Sequence, residues 1–189
     1  TITEEFCERA KKLPNLCPHF HLSLQSGCDT ILEQMGRRYR TREFADKIAY
    51  IRRKLEKPGS QKVFFGIDVI AGFPGESDEL FRQTYDFLQN EVRPAFIHIF
   101  PYSKRPGTPA AERPDQVQDS VKTARVEALE NLCSRLHDEF VAANKGLKSK
   151  VLFEQRTKEG KASGWSENYI KVEVPYRKEL INSIIETEL

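Results

Sequence analysis

The segment that decides the fold is VFFGIDVIAGFPGESDELFRQTYDFL, residues 63–88. Its first eleven residues form a nearly uninterrupted apolar run, which is typical of a strand covered on both faces. Its second half begins at Ser77, a residue type favoured at helix N-termini, and then places Leu80, Thr84 and Leu88 at helical intervals. A buried strand followed by a glycine-containing turn and an amphipathic helix predicts a βα unit.

The same alternation extends along most of the chain. Two more buried strands are predicted at residues 19–25 and 96–100. Helices are predicted at residues 4–13, 30–35, 41–56, 77–92 and 117–145. This order indicates an α/β fold with a parallel sheet. Because three such units cannot close a barrel, we expect an exposed sheet edge and an edge-paired or chain-swapped dimer of the isolated chain.

The pattern changes after Gly146, a residue expected to end the last long helix. Short alternating stretches follow, with turns at Glu159-Gly160 and Ser163-Gly164, and they predict a small antiparallel β-domain. We therefore expect an α/β domain at residues 1–146 and a β-domain at residues 147–189. The β-domain region is basic, because residues 142–180 hold nine Lys or Arg against five Glu. A solvated face is the common explanation, and a phosphate-facing surface is the alternative.

Composition excludes several classes of protein. The 189 residues are 39% hydrophobic and 31% charged, and no apolar run approaches the roughly 20 residues of a membrane span. A cytoplasmic protein with no membrane contact is therefore expected. The four cysteines have neither zinc-type nor iron–sulfur spacing, so reduced thiols are expected. His21 and His98 lie on neighbouring predicted strands, but hydrogen-bonded core histidines are commoner than ligands, and no metal site is predicted.

Polar motifs follow all three predicted strands: LQSGCD at 24–29, GFPGE at 72–76 and PYSKR at 101–105. Each alone is compatible with an ordinary turn. The carboxyl ends of parallel strands meet on one side of a sheet, where ligand sites occur, so together they indicate a binding site. Arg105 is suited to bidentate contact with a carboxylate or phosphate. The basic stretch GRRYR at 36–40 is either a solvated loop or a contact for RNA phosphates, with Tyr39 available for stacking.

Four segments in order resemble the radical S-adenosylmethionine (SAM) methylthiotransferases. They are HLSLQSGCD (21–29), MGRRYRTREF (35–44), DVIAGFPGESDELFRQTYDFL (68–88) and HIFPYSKRPGTPA (98–110). The β-domain from about Lys148 resembles the TRAM domain, the RNA-binding module of that family. The first and last segments are most similar to the tRNA threonylcarbamoyladenosine methylthiotransferases. Alternatives are the isopentenyladenosine enzymes, the ribosomal-protein enzymes, a radical enzyme of other chemistry and a chain that only binds RNA.

The resemblance implies the second half of a partial (β/α)6 barrel followed by a truncated TRAM-like β-domain. It implies a full-length enzyme that uses SAM and [4Fe–4S] clusters to add a methylthio group to carbon 2 of a modified adenosine beside the tRNA anticodon. The CxxxCxxC cluster motif of the family is missing. We therefore expect this piece alone to bind no cluster or other cofactor and to be inactive.

The resemblance also implies site residues, although it assigns no catalytic residue. The implied cofactor contacts are Gln25, Ser26, Ile70, Gly72, Pro101, Tyr102 and Ser103. The implied contacts to substrate or tRNA are Arg105, Thr108, Arg37, Arg38, Lys150, Arg156 and Lys171. Cys28 stands where many members of the family have serine, and we interpret it as a tolerated small residue.

Overall fold

The structure is a computed structural model that describes residues 3–13 and 15–189. The chain forms two compact units, each made of segments that are not contiguous in sequence. One contains Thr1–Phe20, Tyr50–Phe64 and Glu139–Leu189, and the other contains His21–Ala49 and Phe65–Asp138. Among the described residues, no helix is both long and apolar enough to cross a membrane.

The first sheet has three strands, β1 (His19–Gln25), β2 (Phe64–Ala71) and β3 (Phe96–Pro101), in the order β1-β2-β3. The sheet is parallel, and the pairing of β2 with β3 runs from Gly66 opposite Phe96 to Ala71 opposite Pro101. The central strand is buried on both faces, as its apolar run predicted. The mixed α/β fold with a parallel sheet is confirmed. The dimer through an exposed strand edge stays a prediction.

Six α-helices accompany the strands in the described part of the chain. They are α1 (Glu4–Ala10), α2 (Asp29–Gln34), α3 (Thr41–Leu55), α4 (Asp78–Phe87), α5 (Pro109–Glu112) and α6 (Asp119–Asn144). Ser77 caps α4 by accepting a hydrogen bond from the amide of Leu80, as its residue type predicted. Beyond α4 the chain continues as a π-helical turn at Leu88–Val92, a change that the 77–92 helix prediction did not contain.

The second sheet is antiparallel and contains β4 (Lys148–Arg156), β5 (Lys161–Ser166), β6 (Lys171–Pro175) and β7 (Ser183–Glu188). The strand order is β6-β5-β4-β7, with a 3-10 turn at Lys178–Leu180 before the last strand. One face packs on a small core of Val151, Phe153, Ala162 and Leu180. Alternation along β4 places the intervening side chains on the opposite, exposed face.

A buried amide network joins three segments at the base of this sheet. The Asn144 side-chain oxygen accepts hydrogen bonds from the backbone amide of Lys62, at 2.9 Å, and from Asn168 Nδ2, at 2.9 Å. Asn168 Nδ2 also donates to the Lys62 carbonyl, and Ser166 Oγ lies 2.8 Å from Asn168 Oδ1. Both asparagines are fully buried. Their amides therefore fix the end of α6, the entry to β2 and the turn after β5 against one another.

Replacing Asn168 with alanine is expected to lower the free energy of unfolding by about 2–4 kcal/mol, because it leaves several buried polar groups without partners. Urea denaturation monitored by circular dichroism measures this change. Asn131 lies exposed on α6, so Asn131→Ala is the matched control and should change stability by less than about 0.5 kcal/mol. Equal effects of the two substitutions would show that the network contributes nothing.

Candidate functional site

A cavity of about 560 Å³ opens beside the carboxyl ends of the three parallel strands. Its lining comes from all three strands and from the loops that follow β1 and β3. The lining residues are Gln25, Arg37, Asp68, Ile70, Phe100, Pro101, Tyr102, Ser103, Arg105, Thr108 and Ala110. Eight of these are residues that the sequence assigned to a ligand. The structure thus brings together motifs that lie up to 83 positions apart in the chain, from Gln25 to Thr108.

Gln25 reaches the cavity from a left-handed backbone conformation, with φ of 73°. A residue with a Cβ adopts this conformation at a cost of about 1 kcal/mol, and such strain collects at ligand sites. The strand end is supported by Tyr39, whose hydroxyl donates to the carbonyls of Ser23 and Leu24 at 3.0 and 2.8 Å. Burial raises the pKa of Tyr39. Tyr39 therefore supports β1 through its hydroxyl, in addition to the stacking on RNA for which the sequence suggested it.

Tyr102 forms part of the apolar wall of the cavity. Its ring packs edge-on against Phe73, with centroids 5.4 Å apart, and the Lys122 ammonium lies 5.7 Å from the ring centre. The Tyr102 hydroxyl is buried, and it has no hydrogen-bond partner among the described residues. Burying an unpaired hydroxyl is unfavourable, so this group is available to a ligand that brings a hydrogen-bonding atom.

Two guanidinium groups, those of Arg37 and Arg105, line the polar side of the cavity. The loop that carries Arg105 is closed by Thr108, whose Oγ1 and backbone amide both donate to the Arg105 carbonyl, at 2.8 and 3.2 Å. Gly107 lies between them at φ of 80°, a conformation that favours glycine. A pair of guanidiniums at one rim suits an anionic ligand group.

Asp68 reaches the cavity from the middle of β2 and carries its own set of partners. Its carboxylate contacts His21 Nε2 at 2.6 Å and accepts a hydrogen bond from Ser23 Oγ at 2.7 Å. The rings of His21 and His98 stack, with centroids 4.5 Å apart. Burial raises the pKa of Asp68, but the contacts with His21 and Ser23 outweigh it and the net pKa is lowered. Burial, followed by the neighbouring His21, lowers the pKa of His98.

Several predicted contacts lie outside the cavity lining. Ser26 is fully buried, and its Oγ lies 3.1 Å from Thr84 Oγ1 and accepts from the amide of Cys28 at 3.2 Å. Gly72, at φ of 78°, packs so closely on Lys122 that a Cβ there would overlap Lys122 Cγ. Arg38 is exposed on the loop before α3. The predicted RNA contacts Lys150, Arg156 and Lys171 belong to the unit that contains the antiparallel sheet.

A buried ion pair that the sequence did not indicate anchors the loop after β2. Glu76 accepts from the amide of Gly72 at 2.7 Å and from the Arg125 guanidinium at 2.9 Å, and both charged side chains are almost fully buried. Arg125 also contacts the exposed Asp78 at 2.8 Å. Burial raises the pKa of Glu76, against the opposing effects of the Gly72 amide and Arg125. The pair fixes the loop to α6.

Comparison with known proteins places this geometry. A family model described as the Radical SAM superfamily matches residues 1–88. The chain is 35% identical over 192 residues to the threonylcarbamoyladenosine tRNA methylthiotransferase MtaB of Bacillus subtilis, covering 100% of this chain and 41% of that protein. The chain belongs to the radical SAM methylthiotransferase family.

Other relatives carry two different names. The MtaB protein of Aquifex aeolicus is 39% identical over 167 residues, covering 87% of this chain and 38% of that protein. The tRNA-2-methylthio-N(6)-dimethylallyladenosine synthase of Pelotomaculum thermopropionicum is 40% identical over 139 residues, covering 74% of this chain and 30% of that protein. The chain spans about two fifths of the length of the threonylcarbamoyladenosine relatives that it matches. The family resemblance stated from the sequence is confirmed.

Cofactors of the methylthiotransferase family fit this chain unequally. SAM is a nucleoside with a charged amino-acid end, and the cavity offers the apolar Ile70 and Pro101, the amide of Gln25, the unpaired Tyr102 hydroxyl and a guanidinium rim. An iron–sulfur cluster needs a set of thiolates. Within residues 3–13 and 15–189, no three His, Cys, Asp or Glu side chains come together as a metal site. The described residues therefore fit SAM and do not fit a cluster.

Replacing Arg125 with methionine leaves the buried Glu76 carboxylate without its counter-charge. We expect a loss of about 3–5 kcal/mol in the free energy of unfolding at pH 7. The pKa of Glu76 should rise further, so the deficit should shrink as the pH falls towards 5 and the carboxyl becomes protonated. Urea denaturation at both pH values measures this. Asp78→Asn removes only the exposed contact and should cost less than about 1 kcal/mol at either pH.

The lowered pKa of His98 predicts a second pH effect. The unfolded chain binds a proton at His98 at higher pH than the folded chain does, so this group removes stability as the pH falls below about 6.5. The midpoint of urea unfolding should therefore fall between pH 7 and pH 5. In His98→Gln the fall should be smaller, whereas His137→Gln, which changes a histidine on α6, should leave it as in the parent chain. An unchanged profile in His98→Gln would contradict the assignment.

Proposed function

We propose that this chain is the part of a tRNA methylthiotransferase that binds the adenosine portion of SAM and the modified base, and that the natural substrate is N6-threonylcarbamoyladenosine beside the anticodon. The observation that carries the proposal is the cavity at the strand ends, which joins an apolar wall to a rim with two guanidiniums. The names of the MtaB relatives support the same substrate.

The charge of the rim favours this substrate over the alternative. A threonylcarbamoyl group ends in a carboxylate, whereas a dimethylallyl group is uncharged and apolar. Arg37 and Arg105 match a carboxylate, because a guanidinium makes bidentate hydrogen bonds to one. The relatives named as dimethylallyladenosine synthases keep the second substrate as the alternative, together with the ribosomal-protein enzymes and a chain that only binds RNA.

Radical chemistry at the substrate carbon is supplied by SAM and its cluster when the full-length enzyme holds them. The residues of this chain then bind and position. Ile70 and Pro101 offer apolar surface to a flat ring, and Gln25 and Tyr102 offer hydrogen bonds to its edge. Arg105, held by the Thr108 turn, orients the charged substituent. Rigid support of this kind is what converts binding into correct orientation.

The charge argument predicts a specific effect of Arg105. In the full-length enzyme, Arg105→Gln should reduce methylthiolation of threonylcarbamoyladenosine by about 10- to 100-fold, because a hydrogen-bonded charge on the substrate loses its partner. Lys104 is adjacent in sequence but does not line the cavity, so Lys104→Gln is the matched control and should change the rate less than about twofold. Rates are measured on purified tRNA by mass spectrometry of its nucleosides.

A deletion experiment separates the substrates. Cells that lack the full-length protein should lose the methylthio form of threonylcarbamoyladenosine and keep that of the dimethylallyl nucleoside. Loss of the dimethylallyl form alone, together with an unaffected Arg105→Gln enzyme, would overturn the proposed substrate. If both nucleosides are unchanged, the protein has only an RNA-binding role or another target.

A further inference from the structure

The outer face of the antiparallel sheet carries an apolar stripe that the proposed function does not use. Strand register places Ile184 of β7 opposite Leu152 of β4, and Leu152 opposite Trp165 of β5. Side chains at paired positions lie side by side on one face. All three are large apolar side chains with 38–66% of their surface exposed. We call the row of Ile184, Leu152 and Trp165 the outer stripe.

Trp165 extends the outer stripe into a stack of rings. Its ring lies on that of Tyr169, with centroids 4.6 Å apart and planes 16° from parallel. Tyr169 in turn stacks on His19, with centroids 4.7 Å apart and planes 6° from parallel. Tyr169 is 47% exposed and has a left-handed φ of 62°, which costs energy for a residue with a Cβ. An exposed, strained tyrosine between two rings is a feature expected of a binding surface.

Positive charge flanks the outer stripe on both sides of Trp165. Lys171 of β6 is the partner of Trp165 in the register, and Lys150 lies two residues before Leu152 on the same face of β4. The nearest acidic side chains are already paired: Glu173 contacts Lys161 and Lys171, and Glu186 contacts Lys148. Within the described part of the chain, the Lys150 ammonium has no carboxylate partner.

We propose that the outer stripe binds unpaired nucleotides of RNA, with a base against the Trp165–Tyr169 rings and phosphates at Lys150 and Lys171. This inference rests on the proposed function, since it takes tRNA as the substrate, and it adds where an unpaired segment is held. Aromatic rings beside lysines suit single strands, because every base has a face that can stack and every linkage carries a negative charge. The lysines favour an RNA occupant over an apolar protein surface.

Trp165 is the only tryptophan in the chain, so its fluorescence reports on the outer stripe directly. The 189-residue chain is titrated with a 12-nucleotide single-stranded RNA and with a duplex that contains the same strand. Base stacking should quench Trp165 with the single strand, and the duplex should quench it at least 10-fold less at equal concentration. Equal quenching by both RNAs would overturn the inference. So would a concentration-dependent change without RNA that shows a second copy on the stripe.

Variants test the two kinds of contact separately, with anisotropy of a labelled RNA as the readout. Trp165→Ala should weaken single-strand binding by about 5- to 100-fold, and Trp165→Phe should restore most of it. Lys150→Ala and Lys171→Ala should each reduce the slope of log affinity against log salt by about 0.7. Lys158 lies in the exposed turn before β5, so Lys158→Ala is the matched control and should change neither quantity. Circular dichroism checks that each variant is folded.

A folded Trp165→Ala chain that binds RNA as tightly as the parent chain would overturn the inference. Failure of the inference and failure of the proposed function are distinguishable. If Trp165 makes no contribution but deletion cells still lose the methylthio nucleoside, only the outer stripe assignment falls. If the outer stripe binds single strands but the nucleosides of deletion cells are unchanged, the methylthiotransferase assignment falls and the RNA surface stands.

Discussion

The contact between Glu76, the Gly72 amide and Arg125 is the interaction on which the candidate site depends most. It takes a carboxylate and a guanidinium out of water, which is favourable only when each keeps good partners. In return it fixes the loop after β2 to α6, and α6 contributes the Lys122 stem that packs on Gly72. Phe73 of the same loop supports the Tyr102 ring, so one buried pair sets the shape of the cavity wall.

The cavity that results has two chemical halves, and their separation explains how one pocket serves a nucleoside. Its apolar wall comes from strand positions that alternation turns towards the same face, such as Ile70. Its charged rim comes from loops, where Arg37 and Arg105 are placed by turns and not by the sheet. A relative with a different substrate therefore needs to change only loop residues while it keeps the same strands.

The strands and long helices were predictable because their residues repeat with a clear period. The apolar run at 63–73 identified β2, and the 41–56 spacing identified α3 almost to the residue. The π-helical turn at Leu88–Val92 was not predictable, since its side-chain spacing is close to that of an α-helix. The ends of β2 were also displaced, because Gly72 leaves the strand conformation at φ of 78°.

Which side chains face the cavity was only partly predictable. Motif position assigned Gln25 and Ser26 together, but the left-handed Gln25 interrupts the alternation and Ser26 lies in the interior beside Thr84. Asp68 was not singled out at all, because its role depends on His21 and Ser23, which are 47 and 45 positions away in sequence. Trp165 and Tyr169 gave no periodic signal, since their stacking depends on a turn with an unusual backbone.

The backbone of Gln25 places this position under two opposed demands. Glycine or asparagine would occupy the left-handed conformation more comfortably and would make the protein more stable. Either one would also withdraw the long amide from the cavity. Selection for stability and selection for activity therefore pull the codon in different directions. A laboratory search for heat-resistant variants should accept changes at this site readily, and those same variants should be poor enzymes.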